Sequence, residues 1–115
     1  MKMGKRRGSE LALGLELGTL REEIREAVAI LRAYGAKRVI LFGSAARSSD
    51  GAELRPRDLD LACEGLPPDR FFAALGRLLA MLSVPVDLVD LRGAGLRRSI
   101  RERISREGVL LYEAE

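Results

Sequence analysis

The 115-residue chain contains no histidine, no tryptophan and a single cysteine. Without imidazole there is no Ser/His/Asp or Cys/His relay and no His-ligated zinc, so acid–base or metal chemistry falls to carboxylates. The six aspartates become the residues to follow. Cys63 has no intrachain partner for a disulfide, which points to a reducing, cytoplasmic setting. Aromatic side chains are few (Tyr34, Phe42, Phe71, Phe72, Tyr112), leaving little to stack on bases and weighing against nucleic acid as the main ligand. No apolar run approaches the roughly 18 residues needed to span a bilayer. Glu10 and Glu16 interrupt the one leucine-rich stretch that could suggest a secretory leader.

What is present is charge, unevenly placed. Residues 1–9 carry +4 and residues 92–106 carry +5, from six Arg and one Glu, so that the net +3 leaves −6 for the remainder. Basic ends flank a slightly acidic middle. Such runs are most often solvated faces, though they can attract phosphates or an acidic partner.

The length fits one domain with a modest core. Residues 1–18 read as a basic tail and 19–115 as the folded unit. Thr19 and Glu22 form a capping-box pattern before apolar residues at helical spacing, which predicts a helix over 20–34 that stops at Gly35. Lys37–Phe42 is a short β-branched run, expected as a strand buried on both faces, and Ser44 can cap a short helix behind it. A polar loop follows over 48–57. Asp58–Glu64 alternates as a strand, and Pro67-Pro68 precede an amphipathic helix carrying Phe71, Leu75, Leu78 and Leu82. Val84–Leu91 predicts a third strand, Leu96, Ile100 and Ile104 a narrow-faced basic helix, and Val109–Tyr112 a last strand. This alternation argues for an α/β layered domain built on one small sheet.

Three features of that pattern bear on chemistry. Gly43-Ser44 stands at a strand-to-helix corner, where glycine lets backbone approach a phosphate and serine adds a donor. Alternation puts Asp58 and Asp60 on one face of their strand, with Leu59 on the other. Asp87 and Asp90 have opposite parity in the third strand, so at most one can join that pair. Two carboxylates ~4 Å apart repel by about 4 kcal/mol at an effective dielectric near 20, and a divalent cation relieves this. Hard oxygen ligands without His or Cys favour Mg²⁺, with Mn²⁺ as the alternative. Other phosphate motifs are excluded: there is no GxxxxGK[ST], and Gly93-Ala94-Gly95 lacks the third glycine of GxGxxG because position 98 is Arg.

The ordered combination is more specific than its parts. A strand ending in Gly43-Ser44, 13 intervening residues, Asp58-Leu59-Asp60-Leu61, a helix, and then Pro85-Val86-Asp87-Leu88 resembles the nucleotidyltransferase superfamily of the DNA polymerase β palm. In particular it is similar to the minimal nucleotidyltransferases, the MntA-like antitoxins, over roughly residues 20–113. The resemblance implies a small mixed sheet flanked by helices and a two-metal transfer of a nucleoside monophosphate, with ATP as the donor. It implies that Asp58, Asp60 and Asp87 ligate Mg²⁺, that Asp87 also takes the acceptor's proton, and that Gly43, Ser44 and Arg47 bind the triphosphate. The implied partner is a helical HEPN-type toxin, silenced by adenylylation. Two alternatives are silencing by contact alone and transfer to a small molecule such as an antibiotic. Ser48 and Arg57 depart from the family pattern, which commonly has Gly and Ser there, but neither removes a metal ligand.

Overall fold

The computed structural model describes residues 9–49 and 58–115, with side chains described for 20–46 and 58–115. Eight elements alternate along the chain: α1 (Ser9–Tyr34), β1 (Arg38–Phe42), α2 (Ser44–Ser49), β2 (Leu59–Glu64), α3 (Pro68–Met81), β3 (Val86–Asp90), α4 (Arg98–Glu107) and β4 (Val109–Glu113). The strands form a mixed sheet in the order β3-β2-β1-β4. β1 pairs antiparallel with both β2 and β4, whereas β2 and β3 run parallel, joined by α3 as a crossover. The sheet is therefore the small mixed α/β sheet expected.

α1 begins at Ser9, not near residue 20, and Thr19 lies inside it. The reason is propensity: the preceding run is rich in Leu, Ala and Glu, and its two glycines cost only about 1 kcal/mol each. The far end behaves as expected. Gly35 adopts φ +110°, and the Gly35 and Ala36 N–H groups donate back to the Arg32 and Leu31 carbonyls, both at 2.9 Å. This satisfies two carbonyls that the helix would otherwise leave open.

Strand alternation sorts the sheet into two faces. Val39, Leu41, Leu59, Leu61, Cys63 and Leu88 point to one, where they pack with Ala27 and Leu31 of α1 and Ala74 and Leu78 of α3. This is the main core. On the other face Ile40, Phe42 and Ala62 pack under Ile104 of α4, with Val89, Leu91 and Ile100 around them. α4 covers that second face only in part, because its apolar stripe is narrow. Glu23 of α1 accepts the Ser83 and Val84 N–H groups at 2.9 and 3.3 Å, fixing the turn into β3.

Candidate active site

The partly covered face carries the aspartates. In the antiparallel pairing Asp60 stands opposite Phe42, the residue before Gly43, and in the parallel pairing it stands opposite Asp87. Gly43, Asp60 and Asp87 thus meet across three adjacent strands at one end of the sheet. Asp58 precedes β2 by one residue and is exposed, Leu59 behind it is fully buried, and Asp60 is half-buried. The Leu59 N–H donates to the Pro85 carbonyl at 2.8 Å, which holds the entries of β2 and β3 together. That tie sets the register between the two carboxylate strands.

Gly43 is buried and adopts φ +74°. A Cβ on it would collide with Asp60 Oδ2 and lie 3.1 Å from Asp60 Cγ. The glycine is therefore required twice: its backbone sits where L side chains are strained, and the space of the missing side chain is filled by the carboxylate. The Ala46 N–H donates to the Gly43 carbonyl at 3.1 Å, turning the chain into α2, and Ala45 and Ala46 anchor that turn in the core. Ser44 opens α2 and is half-buried. α2 is only six residues long, so its dipole adds little, and any phosphate contact here rests on Gly43 and Ser44 themselves. The backbone of Arg47 lies in α2; its side chain and all of Arg57 lie outside the described residues.

Asp87 joins Asp60, and Asp90 does not. Asp90 faces the other side, where its Oδ1 accepts the Arg92 N–H at 3.0 Å. It also lies beside Cys63, whose thiol is pushed from 9.0 up to about 12, first by burial and then by the Asp90 charge. Cys63 is consequently held as a neutral thiol.

Among the described residues no three Asp, Glu or Cys side chains form a group able to hold a metal ion. The donors nonetheless suit Mg²⁺ in kind: Asp60 and Asp87 are oxygen ligands on neighbouring strands, and Asp58 shares Asp60's parity. Two features escaped the sequence reading. Phe42 packs directly opposite Asp60, which only the strand pairing reveals. Glu64 is bracketed by Arg38 and Arg92, at 3.1 and 3.5 Å, although only the parity of 60, 62 and 64 hinted that it shares the aspartates' face.

No protein-family model matches the chain, and no curated protein does. Solved structures do. A toxin–antitoxin structure with AMP-PNP is 24% identical, covers 82% of this chain and 73% of its own, and gives a TM-score of 0.61. The complex of a tri-AMPylated Shewanella oneidensis HEPN toxin with an MNT antitoxin is 21% identical, covers 83% of this chain and 73% of the other, and also gives 0.61. At those identities the likeness is one of fold. A candidate minimal nucleotidyltransferase is nearer, at 33% identity over 83% of this chain and 95% of that one, with a TM-score of 0.64. With its glycine turn set against paired aspartates on a mixed sheet, the chain belongs to the minimal nucleotidyltransferases.

Proposed function

We propose that the protein transfers AMP from ATP to a hydroxyl on a HEPN-type toxin and thereby acts, in the cytoplasm, as that toxin's antitoxin. The observation that carries this reading is the meeting of Gly43, Asp60 and Asp87 at one end of the sheet. The acceptor oxygen forms a bond to the α-phosphorus of ATP, the bond to the bridging oxygen breaks, and pyrophosphate leaves. Asp87, exposed at the rim of β3, accepts the acceptor's proton on its carboxylate. Gly43 and Ser44 hold the triphosphate against the sheet end, and Arg47 adds positive charge to it. Asp58, Asp60 and Asp87 would hold Mg²⁺, which when bound neutralises triphosphate charge and makes the acceptor hydroxyl more acidic. The fold likeness to an antitoxin bound to an AMPylated HEPN toxin supports the choice of donor and acceptor.

The absence of a ready three-carboxylate group among the described residues favours one second reading, an antitoxin that neutralises by contact alone. The two separate cleanly. The protein is incubated with α-labelled ATP, Mg²⁺ and a HEPN toxin encoded beside it, and the Asp58→Asn and Asp60→Asn variants are run in parallel. Label on the toxin that both substitutions abolish supports transfer. Neutralisation without label, surviving both substitutions, replaces it with the contact reading.

A further inference from the structure

The proposed transfer leaves the arginines of residues 92–106 without a role. Two of them, Arg92 and Arg101, lie at the opposite end of the face that carries Asp60 and Asp87. Between α4 and the sheet lies a groove of about 590 Å³, running from Leu91 after β3 to Leu110 on β4. Its floor is aliphatic, formed by Ile40 and Ile104 with Leu110, which is 51% exposed. Its rim is cationic: Arg38, Arg92 and Arg101 line it against one carboxylate, Glu64. Glu64 takes Arg38 and Arg92, Arg101 donates to the Leu91 carbonyl at 3.1 Å, and Glu113 lies 3.8 Å from Arg38 Nε. Each guanidinium carries five donors, and among the described residues these contacts engage only a few of those on Arg92 and Arg101, whereas Arg38 Nε is itself buried. Arg92 in particular keeps 74% of its side chain in solvent.

We propose that this groove docks an acidic segment of a protein partner, with an aliphatic side chain on the floor and carboxylates on the arginine rim. Charge complementarity selects the occupant. Guanidinium forks match carboxylates bidentately, and the exposed leucine offers an apolar anchor that a phosphate backbone would not use. Among the described residues, no aromatic lines the groove to stack on a base. From Glu64 at this end to Asp60 at the other is four strand residues, roughly 13 Å, so a segment held here lies on the same face as the carboxylates. The inference concerns binding alone and is separable from the transfer reaction.

The test uses the full chain and fluorescein-labelled twelve-residue peptides read by anisotropy: one alternating Glu and Leu, one alternating Glu and Ser, one alternating Lys and Leu, with single-stranded dT12 as the nucleic-acid control. The expected result is that the Glu/Leu peptide binds best, that added NaCl weakens it, and that Arg92→Glu and Arg101→Glu each weaken it about tenfold. Leu110→Ser should bring the Glu/Leu peptide down to the level of the Glu/Ser one. Arg92→Gln, at a solvent-facing position, provides a milder variant should a charge reversal fail to fold. Failure of the Glu/Leu peptide to bind, binding indifferent to both arginine variants, or equally tight binding of dT12 through the same arginines overturns the proposal. None of these outcomes bears on label transfer from ATP, so docking and catalysis can fail separately.

Discussion

Gly43 and Asp60 compete for one small volume, and the glycine gives way by having no side chain. In Gly43→Ala the left-handed backbone alone costs about 1–2 kcal/mol, and the new methyl must also displace the Asp60 carboxylate. The expected result is a lower midpoint in urea together with a loss of transfer activity out of proportion to the loss of folded protein. Cys63 supplies a second prediction. Its thiol is raised from 9.0 to about 12 in the folded state, so above pH 9 the unfolded chain loses a proton that the folded chain keeps. The stability it contributes is complete below pH 9 and declines as pH rises toward 12, by up to about 1.4 kcal/mol per unit. Urea titrations from pH 8 to 10.5 should show that slope, and Cys63→Ala should flatten it. In the native protein the thiol should also resist alkylation at pH 8 and react freely once unfolded.

At the scale of elements, the two helices beneath the sheet hold the site in place from behind. Leu78 of α3 is fully buried in the main core, and Leu78→Ala should cost about 2–5 kcal/mol by denaturant unfolding. Glu23 acts differently, through its hydrogen bonds to the turn before β3. Removing it in Glu23→Ala should cost about 1 kcal/mol and loosen the approach to Asp87, read as faster amide exchange at Val84. How much of this was legible beforehand follows from the reach of each signal. Period-2 alternation in Leu59-Asp60-Leu61 separates the two core leucines from the carboxylate between them, because that depends on backbone geometry two residues long. Parity in the third strand allows only one of Asp87 and Asp90 to join the pair, and the resemblance points to Asp87; that it stands directly opposite Asp60 depends on the parallel register of β2 with β3, which no local pattern encodes. The extension of α1 back to Ser9 was missed because a plausible capping box at Thr19 outweighed a weaker, distributed helix propensity. The arginine run was visible as charge, but its groove required α4 to lie across Ile40, a contact between elements far apart in sequence.

At the scale of the whole molecule, the sheet order places β1 in the interior, hydrogen-bonded on both sides. Its neighbour β2 follows closely in the chain, but β4 pairs with it across roughly 70 residues, a long-range closure of the kind that slows folding. At a synthesis rate of about 5–20 residues per second, β1 waits roughly 4–14 s for that partner. During the wait Arg38-Val-Ile-Leu-Phe42 presents one open edge of an almost wholly apolar strand, the kind of template on which chains stick to one another. A chain ending at Glu107 makes the wait permanent and should sediment or scatter light where the full chain stays monodisperse. The irregularity between Val39 and Ile40 belongs to the late partner, since Leu111 is the extra residue of β4: the waiting edge of β1 is itself regular, so its protection from neighbouring nascent chains begins only when the bulged strand arrives and closes it.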